Sequence, residues 1–221
     1  MKYFFVSIIS ISLSIASMDY KELLYSLKDD KSWVDIKQNN DGSIVKLKAI
    51  DGMNLSAISV ESVIDVSPLV VQNILIDILN YNNVLKSSGA LKTKLFNKNK
   101  NTLDGYQHIE SGTPFISNRK YCFRMNYLPY SLNNNVLMEW YLLDTFGMHE
   151  KFIADNDVDA VYLDYGAGIW MVEQLDDKSF LFSYRLFMDP GGYIPNFIIE
   201  KVNELSIYNI FNDVMIEANK K

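Results

Sequence analysis

Asp189-Pro190-Gly191-Gly192-Tyr193-Ile194-Pro195 joins a stretch of alternating apolar residues, Ser179 to Met188, to a long run with apolar residues at helical spacing, Asn196 to Asn219. Two adjacent glycines let the backbone reverse sharply, and Pro195 suits the first turn of a helix, where its missing N–H costs nothing. The heptapeptide therefore reads as a strand-turn-helix junction. The helix it opens is apolar at Phe197, Ile198, Val202, Leu205, Tyr208, Phe211, Val214 and Met215, enough to cover one face of a sheet.

Upstream, the same period of two recurs. Val45, Leu47 and Ala49 alternate with lysines, and Ile58, Val60 and Ile64 with Ser59, Glu61 and Val63. Further strands are expected at Leu91 to Leu95, Tyr106 to Glu110, Tyr121 to Tyr127, Val136 to Leu143 and Ile169 to Gln174. With Arg124, Asn126 and Glu139 facing water, the inward set is Tyr121, Phe123, Met125, Val136, Met138, Trp140 and Leu142, joined by Trp170, Val172, Phe180, Phe182, Tyr184, Leu186 and Met188. Two helical patterns interrupt the strands. One follows Asp19 with Tyr20, Leu23, Leu24 and Leu27; the other follows Ser67-Pro68 with Val70, Val71, Ile74, Leu75, Ile78 and Leu79.

The order is helix, strands, helix, many strands, long helix. This is an α+β helix-grip fold, a curved antiparallel β-sheet around a long C-terminal α-helix, and strong curvature leaves room for an internal hydrophobic cavity. Periodicity alone does not separate that cavity from a filled core, because the same large side chains serve both.

The 221 residues carry 48% hydrophobic and 22% charged residues and a net charge of −6, an ordinary globular composition. Only Arg119, Arg124 and Arg185 are arginines, and no basic stripe suited to nucleic acid is present. One cysteine, Cys122, and two histidines, His108 and His149, provide neither an internal disulfide nor a zinc framework. Residues 1–17 form an uncharged apolar run after Lys2, with Ser14 and Ala16 at the two small-residue positions that a signal peptidase reads. They are expected to be a signal peptide preceding one domain, 18–221, in a periplasmic or secreted protein. No Gly-x-Ser-x-Gly elbow, phosphate loop, dinucleotide fingerprint or His-Glu-x-x-His pair occurs.

Four segments resemble, in order, those of the START (StAR-related lipid-transfer) domains: Val63-Ile64-Asp65-Val66-Ser67-Pro68 with Asp77-Ile78-Leu79-Asn80-Tyr81; Pro114-Phe115-Ile116-Ser117-Asn118-Arg119-Lys120-Tyr121; Gly168-Ile169-Trp170-Met171-Val172-Glu173; and the Asp189 to Pro195 junction. The resemblance spans nearly the whole of 18–221 and is that of an exported bacterial-type member. It implies a hydrophobic tunnel holding one lipid or sterol, no chemistry on the ligand, transient membrane contact, and a C-terminal lid hinged at Gly191, Gly192, Pro195 and Phe197. Two departures stand out. Lys120 replaces the family's usual Asp, and Met125 stands where sterol carriers place a second, buried Arg.

On this reading the ligand meets Phe123, Met125, Met138, Trp140, Trp170, Phe182, Tyr184 and Met188, with polar contacts from His108, Glu110, Arg119 and Tyr184. No catalytic residue, metal or cofactor, no nucleic acid and a monomeric state are expected. Two alternatives stand beside it: a cyclase or dehydratase acting on an apolar substrate in a related grip fold, with a pocket His or Glu as acid or base, and a regulatory module with a filled core.

Overall fold

The computed structural model describes residues 19–87, 91–111, 117–131, 134–143, 160–191 and 196–221. Helix α1 (Tyr20–Lys28) begins where the Asp19 carboxylate accepts from Lys21 N at 3.3 Å, an N-cap, and buries Leu23, Leu24 and Leu27. Strands β1 (Val34–Gln38), β2 (Ile44–Ala49) and β3 (Ser56–Ile64) follow. Next come α2 (Pro68–Ile76), a 3-10 turn (Ile78–Asn80) and α3 (Tyr81–Val84). Then come β4 (Leu91–Lys98), β5 (Thr102–Ile109), β6 (Arg119–Asn126), β7 (Val136–Leu143), β8 (Val161–Tyr162), β9 (Gly166–Gln174) and β10 (Phe180–Met188), and last α4 (Asn196–Ala218).

The sheet order is β1-β2-β3-β10-β9-β7-β6-β5-β4, with β8 off this path beside β6. Every pairing is antiparallel except β8 with β6. The β1–β3 meander thus joins the rest of the sheet where β3 pairs β10, the last strand. Both edges carry lysines, Lys37 on β1 and Lys92, Lys94 and Lys98 on β4, which discourage pairing with a further strand. Strand β1 is exposed along its whole length. Neither it nor the two-residue β8 was among the expected strands, because neither buries a complete apolar face.

The inward face and the helices α2, α3 and α4 enclose the main core. On α4 the covering residues are Ile207, Phe211, Val214, Met215 and Ala218, a stripe that winds past Leu205, which is 61% exposed rather than inward as its spacing suggested. Leu79 is likewise exposed, since the helix after Ser67 breaks at Asp77 before the 3-10 turn. Three polar ties hold α4 in place. Lys37 pairs Glu204 at 2.9 Å, Tyr208 Oη donates to Asp41 at 2.9 Å, and the Asp213 carboxylate accepts from Ser87 N at 2.8 Å and Ser87 Oγ at 3.0 Å.

The outer face is not simply wet. Under α1, Ala57, Tyr141, Ala167, Ile169, Met171 and Phe187 form a second apolar cluster, and the Tyr20 and Tyr141 rings stack at 3.9 Å. Two buried cations fasten the far end of α1. Lys48 Nζ donates to Ser26 O at 2.8 Å and Asp29 O at 2.9 Å, and Arg185 Nη1 donates to Leu27 O at 2.8 Å and Lys28 O at 3.1 Å. Carbonyls at a helix C-terminus are unsatisfied and partially negative, so cations belong there. Val136, expected inward, packs against this outer cluster instead, because the register slips between Val136 and Met138 and reverses its face.

Gln72 of α2 stitches the core to the β6–β7 connection. Its Nε2 donates to Leu128 O at 2.6 Å and Leu137 O at 2.7 Å, and its Oε1 accepts from Tyr130 N at 3.1 Å. Gln72→Leu keeps the volume but leaves backbone groups unpaired, and is expected to cost about 1–3 kcal/mol, read as a lower urea midpoint at unchanged slope. A variant within about 0.5 kcal/mol of the parent, the usual result for surface changes, would mean that the connection re-forms its bonds without the amide.

Candidate ligand-binding site on the inward face of the sheet

Cross-strand register arranges the inward residues in rows. One row runs Val45, Val60, Tyr184, Trp170 and Met138; the next runs Leu47, Ile58, Leu186, Gly168, Trp140, Met125 and Leu103. Beyond them lie Leu142, Phe123 and Gly105, and then Tyr121, Gln107 and Thr93. Phe123, Met125, Met138, Trp140, Trp170, Phe182 and Tyr184 are therefore brought together as buried members of the main core, with Met188 packed at its margin.

The two halves of this face differ. On the β9–β10 side the space is filled, since Trp170 stacks on Tyr184 at 4.5 Å and on Phe211 of α4 at 5.5 Å. On the β5–β7 side two aromatic rings lie down over glycines. A Cβ at Gly168 would come within 2.6 Å of the Trp140 indole, and one at Gly105 within 2.7 Å of the Phe123 ring. Real Cβ atoms do not approach so closely, so both positions need glycine for the rings to lie flat on the sheet.

Polar groups on this face are neutral. The Tyr121 hydroxyl donates to Gln107 Oε1, Gln107 Nε2 donates to Thr93 Oγ1 at 3.4 Å, and the Tyr81 hydroxyl donates to Leu75 O at 2.5 Å. The Trp140 indole stands beside the Tyr184 hydroxyl. Burial raises the ionisation of Tyr81, Tyr121 and Tyr184 far above that of a free phenol, with a smaller contribution from mutual repulsion at Tyr81 and Tyr121.

Two expected polar contacts fall elsewhere. His108 pairs with Lys120 on the outer side of β5, opposite Gln107 and Phe123, and Glu110 pairs Lys92 at 2.9 Å on that same outer side. The parity of β5 is the reverse of that expected from bulky Tyr106. The Phe123 ring occupies the space above β5, so its inward positions are the small Gly105 and the polar Gln107. No carboxylate or imidazole among the described sheet residues faces inward. Arg119 shares the inward parity but lies at the end of β6, where Nε donates to Pro190 O at 3.1 Å and Nη1 to Ser117 O. Burial depresses its pKa.

Arg119 thus ties the start of β6 to the junction after β10. There Asp189 Oδ1 accepts from Gly191 N at 2.9 Å, and Gly191 takes φ +61, a left-handed conformation that favours glycine. Gly192, Pro195 and the Phe197 side chain lie outside the described residues, as does the segment 144–159. Cys122 is buried on the outer side, where desolvation lifts its thiol to about 11.

Two depressions bounded by described residues lie on the outer surface. One of about 570 Å³ is lined by Asp65 and Asp176 to Ser179, and one of about 350 Å³ by Trp33, Lys46, Ser59, Glu61 and Arg185 among others. Their charged linings suit no apolar ligand.

No family model matches the sequence, and no curated protein matches it. Solved structures do match. Human STARD10 superposes with a TM-score of 0.72 at 17% identity, over 93% of this chain and 80% of that one. A STAR-related lipid transfer protein from Xanthomonas axonopodis gives 0.68 at 15% identity, over 83% and 96%. The Zhui aromatase/cyclase from a Streptomyces species gives 0.53 at 15% identity, over 74% and 93%. The chain therefore has the START-type helix-grip fold, which the Zhui aromatase/cyclase shares.

Proposed function

We propose that the protein binds a single lipid or sterol against the inward face of its sheet and transfers it between membranes outside the cytoplasm, without acting chemically on it. The carrying observation is the character of that face, apolar and aromatic, with the polar groups buried among its described residues uncharged: phenols, the Gln107 amide and the Trp140 indole, with the Thr93 hydroxyl beside Gln107. An acid-base enzyme needs a carboxylate or imidazole at its substrate, and the described inward sheet residues include neither. The cyclase reading keeps one support, the fold it shares with Zhui. The export reading rests on the apolar run of residues 1–17.

Incubation with phosphatidylcholine vesicles doped with other lipids, then separation of protein from vesicles, tests the proposal. A carrier leaves with an unaltered lipid bound. An altered lipid would point to the cyclase-type reading, and recovery of protein with no lipid would leave a filled regulatory domain.

A further inference from the structure

The depression of about 350 Å³ on the outer face of the sheet is built over a buried serine. Register sets Lys46, Ser59 and Arg185 side by side on β2, β3 and β10, with Glu61, Ser183 and Met171 in the next row. Ser59 is 2% exposed, and its Oγ has no hydrogen-bond partner among the described residues. The long side chains on either side of it carry their charges elsewhere. Arg185 reaches the carbonyls that end α1 and the Asp30 carboxylate, and Lys46 pairs Glu61 at 2.5 Å. A buried hydroxyl is ordinarily satisfied, and one that is not, in the wall of a depression large enough for a small molecule, points to a partner from outside.

The surrounding charge constrains that partner. Four carboxylates, Asp30, Asp35, Glu61 and Glu173, stand at or beside the depression, against the two cations Lys46 and Arg185. Glu173 is exposed on the rim and forms no ion pair among the described residues. An anion would be repelled by this surplus, and an uncharged guest would leave it unanswered. A primary ammonium answers both needs, because its three N–H groups can serve the serine oxygen and the carboxylates together. Trp33, Met171 and Leu181 add apolar wall, which suits an alkyl chain behind the charge.

We propose that this depression binds a small organic cation, a primary ammonium on an alkyl chain, which donates one N–H to Ser59 Oγ and another to Glu61. Lys46 makes room for it. Its ammonium already lies between Glu61 and Asp35, 3.6 Å from the latter, so it passes to Asp35 with an ion pair kept and leaves Glu61 and the hydroxyl to the incoming cation. The site lies on the opposite side of the sheet from the apolar inward face, so it stands or falls apart from the carrier reading.

The test follows backbone amide shifts of the full-length protein during titration, at about 0.15 M salt to screen loose surface attraction, with n-butylammonium, n-butyltrimethylammonium, methyl glucoside and inorganic phosphate. The second probe keeps the charge and chain of the first but has no N–H. Saturable shifts at Ser59, Glu61 and Ser183 are expected with n-butylammonium, at an affinity about tenfold or more above the other three, the ratio that one uncompensated polar contact produces. Ser59→Ala should lower that affinity about tenfold at an equal or higher melting temperature, since it removes a buried hydroxyl with no partner. Glu61→Gln reports on the same contact should the first variant misfold. No saturable shift with n-butylammonium would mean that the serine meets only water, and would overturn the site. Equal or tighter binding of the trimethylammonium, the glucoside or phosphate would overturn the ligand class. Parent-like affinity in both variants would overturn the roles of Ser59 and Glu61, and the proposal with them.

Discussion

Trp170→Ala is expected to cost about 3–5 kcal/mol, the loss typical of a buried aromatic removed from a packed core. Its ring is sandwiched between Tyr184 on the neighbouring strand and Phe211 on α4, so truncation removes two stacked partners and loosens the helix from the sheet. Trp140→Ala should differ. Its indole lies on the bare backbone of Gly168, and no stacked ring covers it among the described residues. Its loss should be smaller, and lipid capacity should change. Equilibrium unfolding of both variants beside lipid uptake checks the contrast. Equal, full core-sized losses with unaltered uptake would mean that the β5–β7 half is as filled as the other.

Raising the pH from 9 to 11 is expected to remove about 4 kcal/mol of stability through three tyrosines alone. Burial raises the folded pKa values of Tyr81, Tyr121 and Tyr184 above that of an unfolded phenol. The unfolded chain releases these protons near pH 10 while the folded one holds them, so the contribution is complete below about 10 and is lost as the pH climbs towards the folded values. Each group forfeits about 1.4 kcal/mol by pH 11. Urea midpoints at the two pH values measure the loss, and the ultraviolet signal of tyrosinate from these three should appear only with unfolding. Ionisation of all tyrosines in a still-folded protein would show that water reaches the inward phenols.

The phenols matter for function as well as stability, since a lining that stays neutral up to alkaline pH offers hydrogen bonds without charge. That property was only half legible in the sequence. Strand parity placed Trp170, Phe182, Tyr184 and Met188 correctly, because β9 and β10 pair without interruption and a period of two then predicts the buried face. It failed where something local broke the period or reversed the usual size rule. A one-residue slip on β7 turned Val136 outward. On β5 the bulky residues Tyr106 and His108 face outward, and the glycine faces inward, because a ring from the next strand fills that space. Gly105 and Gly168 as seats for aromatic rings could have been suspected only from isolated glycines inside strand patterns.

Other features depend on tertiary partners that no local pattern names. The second core beneath α1 required knowing that a short N-terminal helix docks on the outer face, where Ile169, Met171 and Phe187 would otherwise read as exposed strand residues. Lys48 and Arg185 would read as solvated, yet both are buried to hold the carbonyls that end α1. Arg119 behaves as the structural anchor of the junction after β10, and the polar work on the inward face falls to Tyr81, Gln107 and Tyr121, residues that composition makes inconspicuous.

Native mass spectrometry of the full-length protein purified from its own host tests the central claim most directly. The account predicts a population carrying one extra mass of a few hundred daltons, released on denaturation as an unaltered lipid or sterol. Only the bare polypeptide mass, from host material and again after incubation with lipid-doped phosphatidylcholine vesicles, would contradict it.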